Sequence, residues 1–269
     1  DLASLDSILT SRARKGLLNN RAAPQFYRSA LEALPGVDPA VLADERRVAV
    51  FADNVDRIAD VAPSLISKSR IAPNFLATLT ALERDALRAK FSPLSPEQDA
   101  AWRRRHPPPR RRAEQIPSSV DWRTANAVTD VKQQGSCGAC YAFAATGVLE
   151  GHFAIRYGFL VSLSEQQLVS CDRVNNAGCR GGNFLYSLRD YVAPYALGVG
   201  QAFPYGSAQP CPDFSKPTSL PPASLRTVSV SPEVVFVDRT EEALMRAVAQ
   251  GPVAVAVSGY EPIFMYYSS

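Results

Sequence analysis

The chain has 269 residues, room for one large domain or two ordinary ones. Its 46% hydrophobic content supplies a sizeable core, its net charge of +3 argues against intrinsic disorder, and no apolar run is long enough for a membrane-spanning helix. Residues 1–115 carry 19 Lys and Arg against 14 Asp and Glu, while residues 116–269 carry 10 against 12; this marks a break near residue 115, and neither part is basic enough to argue for nucleic acid.

The chain opens at Asp1 without the charged-then-apolar start of a signal peptide, so it reads as a processed product or a fragment. Its first half reads as helices separated by proline-marked breaks. Gln25 to Leu34 is expected to be helical and to stop at Pro35-Gly36. Asp38-Pro39 pairs an N-cap with proline at the first helical position. Val48, Phe51, Val55, Ile58 and Ala62 then recur at steps of three and four, on one helix face, until Pro63. Thr80 with Glu83 fits a capping box, and Ser95-Pro96 opens a further helix carrying Trp102. Such modest amphipathic pieces need a partner surface. Arg103–Arg105 and Arg110–Arg112 crowd around Pro107-Pro108-Pro109. Triple proline is extended and Arg stays solvated, so an exposed linker is expected there rather than a nucleic-acid or heparin patch.

In the second half, Cys140 to about Tyr157 reads as one long helix marked by Phe143, Leu149 and Phe153. Ser164 with Gln167 caps another that runs into Cys171, and Phe184, Leu188 and Val192 mark a third. Thr240 caps a helix ending at Gly251. Val253, Val255 and Val257 alternate with alanines as in a strand, and Thr227–Val230 and Val234–Val237 are further strand candidates. Helices dominate to about residue 212 and strands gain ground after about 225, an α+β pattern.

The five cysteines, Cys137, Cys140, Cys171, Cys179 and Cys211, suggest two disulfides and one free thiol. Cys137-Gly138-Ala139-Cys140 admits three readings. It could be a redox pair at a helix start, half of a zinc site, or the setting of a nucleophile, Cys140, on a helix's first turn. In the last case the helix dipole and unpaired N–H groups favour the attacking thiolate.

Cys137-Gly138-Ala139-Cys140-Tyr141 fits the local signature of the papain-like cysteine proteases, and the chain resembles that family, its cathepsin L group in particular. Ile116-Pro117 to Val120-Asp121-Trp122-Arg123 resembles the start of a mature enzyme. Leu163-Ser164-Glu165-Gln166-Gln167-Leu168-Val169-Ser170-Cys171, Gly178-Cys179-Arg180-Gly181-Gly182 and Pro204-Tyr205 with Cys211 continue the likeness. The resemblance implies a two-subdomain α+β fold, with a helical half and an incomplete barrel-like half over 116–269, preceded by a helical inhibitory prosegment and linker over 1–115. It implies that Cys140 is the nucleophile and that the Gln134 amide joins the Cys140 N–H as an oxyanion hole. Gly181 and Gly182 would line the substrate cleft, and Asn183, Phe184 and Ala256 the pocket for the second residue before the cut. The implied disulfides are Cys137–Cys179 and Cys171–Cys211. No cofactor or metal is implied. The partners would be peptide or protein substrates and the chain's own prosegment, in a secreted or lysosomal/vacuolar setting. Tyr141 stands where most members have Trp.

The prosegment likeness is looser. Arg47, Phe51, Asn54 and Ile58 keep the spacing of the family's long helix, with Ala43 and Ala62 in place of its Glu and Asn. In the second prosegment pattern Asn74 is kept, while Ala72, Leu76 and Thr78 replace Gly, Phe and Asp. The chemistry also requires a histidine. Of the two present, His106 falls in the linker, and His152 lies about 18 Å from Cys140 along one helix axis. The family's His and Asn fall about 130–150 residues after the cysteine, so they are expected beyond Ser269. A catalytically inactive papain-like binding or regulatory chain is the alternative.

Overall fold

The structure, a computed structural model, describes residues 23–32, 37–61, 75–87, 91, 93–105, 116–195, 197–206, 209–211, 227–228, 234–259 and 262–265. The expectations placed on Leu34 to Gly36, Ala62, Pro63, Ala72, Asn74, His106 to Arg112 and Val230 lie outside these residues. The chain forms two compact units, one of residues 1–88 with 257–269 and one of residues 89–256.

In the first unit, helices α1 (Ala23–Glu32), α2 (Pro39–Ala43) and α3 (Glu45–Val61) precede a 3₁₀ turn at Phe75–Thr78 and α4 (Ala81–Leu87). Asp38 caps α2, its carboxylate accepting from the Ala40 N–H at 2.8 Å. The face read from the sequence is the buried one: Val48, Phe51, Val55 and Ile58 pack with Tyr27, Ala30 and Leu31 of α1 and with Ala77. Asn54, buried on α3, donates to the carbonyls of Ala77 and Leu79, which holds the 3₁₀ turn against the helix. Thr80 and Glu83 form the expected reciprocal cap of α4. Glu83 also accepts from Arg47 of α3, and with Thr80 this holds its carboxyl down to about 2.

The second unit opens with α5 (Pro96–Arg105), capped by Ser95 and Gln98. Its centre is α6 (Cys140–Tyr157), which ends on Gly158 at φ 81°, a left-handed position suited to glycine. Against α6 pack α7 (Glu165–Cys171), α8 (Phe184–Tyr186) and the π-helical turn Ser187–Val192, which runs into α9 (Ala193–Tyr195). Tyr141, Ala142, Ala145, Leu149, Leu168, Val169, Leu188, Val192 and Leu197 form their shared core. Ser164 caps α7 by accepting from the Gln167 N–H at 3.1 Å. Strands β1 (Leu197–Gly198) and β2 (Thr227–Val228) pair antiparallel. Thr240 caps α10 (Glu241–Val248), which stops short of Gly251.

Val234–Val237 and Val253–Val257 are irregular rather than strands. Alternating apolar residues mark a face, whereas a strand also needs a neighbour for its N–H and C=O groups. Among the described residues neither segment has a ladder partner, and Val255 and Val257 are exposed.

Candidate active site

Cys140 is the first residue of α6, with Ala139 at the N-cap and no side-chain cap. The approach to it is fixed on both sides. Cys137 is bonded to Cys179, and the Gly138 N–H donates to the Cys179 carbonyl at 2.9 Å. Cys171 is bonded to Cys211, which leaves Cys140 as the free thiol. The redox and zinc readings both need Cys137, whose sulfur is already engaged with Cys179. Among the described residues no His, Cys, Asp and Glu cluster could hold a metal.

Gln134 lies on the turn that leads to Cys140. Its Nε2 donates to the Cys137 carbonyl at 3.0 Å, and its own carbonyl accepts from the Tyr205 hydroxyl at 2.8 Å. The Tyr205 ring meets Phe143 of α6 edge-on at 4.9 Å between centroids. The side-chain amide is thereby held in the loop that leads to Cys140, and it has a second N–H. Burial pushes the Cys140 thiol up, and the hydrogen bond with the Tyr141 backbone only partly offsets it. Desolvation of the thiol thus acts against the preference for thiolate expected at a helix start.

Gly181 and Gly182 are buried beside this turn, Gly181 at φ 113°, a backbone conformation that side chains rarely adopt. A Cβ on Gly182 would stand 2.3 Å from Asn176 Oδ1. Gly182 forms a parallel bridge with Phe91, whose ring lies 5.6 Å from that of Phe184. Asn183 is buried and caps α8, accepting from the Leu185 N–H at 2.9 Å, while its own N–H donates to Asn176 Oδ1 at 2.7 Å. Its carboxamide oxygen is thus engaged by the helix start. Ala256 is exposed in an irregular stretch. The structure places Gln134 just before Cys140 and ties that approach, through the Cys137–Cys179 disulfide, to the segment that leads into the two glycines and Phe184.

His152 is exposed, and its Nε2–H donates to the Pro252 carbonyl at 3.0 Å. It is a satisfied helix residue, as its position twelve residues along α6 suggested.

Two groups were not singled out from the sequence. Lys132 bridges two buried carboxylates, Glu150 of α6 at 2.7 Å and Glu165 of α7 at 2.5 Å. These residues line a cavity of about 220 Å³ with Thr129 and Thr146, whose hydroxyls donate to Glu150 and Glu165 respectively. A carboxylate between Leu149 and Gly151 in a helix core was the available signal. The second group is Asp172, 1% exposed, whose Oδ2 accepts from Asn176 and Ser187 while Oδ1 has no partner among the described residues. Burial pushes its carboxyl up, against the pull of those two donors.

The family described as "Papain family cysteine protease" matches residues 116–269. Cysteine proteinase EP-B 1 of Hordeum vulgare is 42% identical over 165 residues, covering 57% of this chain and 40% of the relative. The senescence-specific cysteine protease SAG12 of Arabidopsis thaliana is 35% identical over 230 residues, 84% of this chain and 64% of the relative. This chain therefore spans under two thirds of the length of either protein. Among solved structures, the Amb a 11 cysteine protease of ragweed pollen, crystallised in its proform, superposes with a TM-score of 0.61 at 31% identity. That match covers 91% of this chain and 71% of that one.

Proposed function

This chain belongs to the papain family of cysteine proteases, and on that premise we propose that it carries the nucleophilic half of a cysteine endopeptidase zymogen. Residues 116–269 are the catalytic part and residues 1–115 the inhibitory prosegment with its linker. The observation that supports this best is Cys140, a free thiol at the head of a buried helix, with the Gln134 amide on the preceding turn. In the proposed reaction the Cys140 thiolate forms an S–C bond to the scissile carbonyl. The carbonyl oxygen takes up negative charge facing the Cys140 N–H and the Gln134 amide. Collapse breaks the C–N bond, the amine leaves with a proton, and water releases the acid from the thioester.

Both proton transfers need an imidazole. Among the described residues none stands near Cys140, since His152 is on the far part of the same helix. We place the base and its Asn in polypeptide outside these 269 residues, at the family spacing. Expressed as written, the chain should not turn over peptides. The Phe91–Gly182 bridge supports the reading of residues before 116 as an inhibitor lying along the cleft edge. Two disulfides favour an oxidising setting, secreted or lysosomal/vacuolar. Among the described residues no helix is long and apolar enough to cross a membrane.

A fluorogenic peptide assay on the transcript's full reading frame tests the proposal. Turnover abolished by Cys140→Ser supports it. A frame that ends at Ser269 would favour a non-catalytic papain-like binding chain.

A further inference from the structure

Helix α5 has no buried residue, and three of its last four positions are arginine, yet it is tied into the second unit by a stack of alternating rings and cations. The Arg189 guanidinium lies between two rings, 5.1 Å from the centroid of Trp102 and 5.2 Å from that of Tyr186. Asp190 grips that guanidinium at Nε and Nη2, and Asn175 in turn donates to Asp190 at 2.7 Å. The cation is therefore fixed on the π-helical turn independently of Trp102. Beyond Trp102 comes Phe236, edge-on at 6.0 Å between centroids, and the Arg103 guanidinium sits 5.0 Å over the Phe236 ring. Arg103 donates to the Val237 carbonyl at 3.3 Å and is oriented by Asp99, which also accepts from Arg239 at 3.0 Å.

One side of this stack comes from α5. The other comes from Tyr186, Arg189, Phe236 and Arg239, all within the stretch matched by the protease family. Phe236 and Arg239 are remote in sequence from Cys140, Gln134 and Gly182, while Tyr186 and Arg189 follow Gly182 by four and seven residues on α8 and the π-helical turn. We infer that they form a second docking surface whose occupant is the chain's own helix 96–105, and that this surface keeps the N-terminal segment bound after the linker is cut. The inference rests on the prosegment reading above and adds to the contact that Phe91 makes at Gly182. Its chemistry is specific: a Trp slides against a prepositioned cation, and one acidic residue meets Arg239. A partly buried cation–π contact of this kind adds to affinity, and a planar guanidinium stacks where an ammonium does not.

The test uses the full chain with a site-specific protease sequence replacing residues 107–113. After cleavage under native conditions, size exclusion shows whether the N-terminal fragment stays with residues 116–269, and serial dilution gives its dissociation constant. Retention is expected. Trp102→Ala and Arg189→Ala should each weaken it by about tenfold, and the double variant little more than either alone, because the two side chains share one contact. Arg189→Lys should weaken it nearly as much as Arg189→Ala, and Trp102→Phe should fall between Trp102→Ala and the parent. Retention with an unchanged dissociation constant in Trp102→Ala and Arg189→Ala overturns the second surface and leaves the prosegment reading standing. Loss of the fragment from the parent chain overturns the prosegment reading, and the inference with it.

Discussion

Replacing Lys132 by Met keeps most of the side-chain volume and removes the ammonium that two buried carboxylates share. Glu150 is 1% exposed and its Oε1 already accepts from the Leu163 N–H at 2.7 Å, so that helix, the 161–165 turn and the loop leading to Gln134 meet at this cluster. Removing one partner of a buried ion pair costs about 3–5 kcal/mol. Lys132 is 25% exposed, so water relieves part of that loss and a value of about 3 kcal/mol is expected. At roughly 2–4 °C per kcal/mol for a unit of this size, the melting temperature should fall by about 6–12 °C. Hydrogen exchange at the amides of α6 and at Leu163 reads the effect locally, alongside thermal unfolding followed by near-ultraviolet circular dichroism. The pH dependence separates charge from packing. Burial lowers the Lys132 pKa, but its hydrogen bonds to Glu150 and Glu165 win and hold it above the usual lysine range. Its stabilisation in the parent is therefore fully present below about pH 10.4 and is lost as pH rises through the higher folded value. In Lys132→Met that contribution is absent, so the variant's deficit should shrink as pH rises above about 10.4. A deficit that stays the same across that alkaline range, or a shift under about 2 °C near neutral pH, would refute the argument that charge compensation holds this junction together.

Three further outcomes follow from the titrating groups. Iodoacetamide should alkylate Cys140 more slowly at pH 7.5 than a cysteine peptide, with the rate still climbing at pH 9, because burial raises its pKa; a plateau at neutral pH would contradict this. Asp172 is held protonated to higher pH in the folded state than in the unfolded chain, so it contributes stability below the unfolded value near 3.9 that fades as pH rises. Asp172→Asn should flatten that decline in urea titrations, and an unchanged slope counts against it. Glu83 is held at about 2 by Arg47 and Thr80, so its contribution is present above about pH 4.3 and lost only as pH falls towards 2. Glu83→Gln should lower the stability of the N-terminal helices at about pH 5–7, read by far-ultraviolet circular dichroism, with the difference vanishing as pH falls towards 2; an effect that persists undiminished at pH 2 would reverse this reading.

Local features were legible in the sequence because local physics sets them. The caps at Asp38, Thr80, Ser164 and Thr240 act over two or three residues, so residue type at fixed spacing was enough to place them. The face of α3 was legible for the same reason, since 3.6 residues per turn puts Val48, Phe51, Val55 and Ile58 in line. Cys140, the Gln134 turn and the Gly181-Gly182 pair were marked by motif. What tertiary structure decided were the quantities that depend on distant neighbours. The state of the Cys140 thiol was one: a helix start argues for thiolate, and surrounding atoms from other elements desolvate it. The strands expected at 234–237 and 253–257 were another, because alternation along a chain says nothing about whether a neighbour supplies hydrogen bonds. The Lys132–Glu150–Glu165 junction joins residues up to 33 apart, and the Trp102 stack joins α5 to side chains more than 80 positions away. Each sequence position there looks like an ordinary surface charge or a lone aromatic. Only folding removes the water between them, and only then does a charge or a ring face acquire its energetic weight.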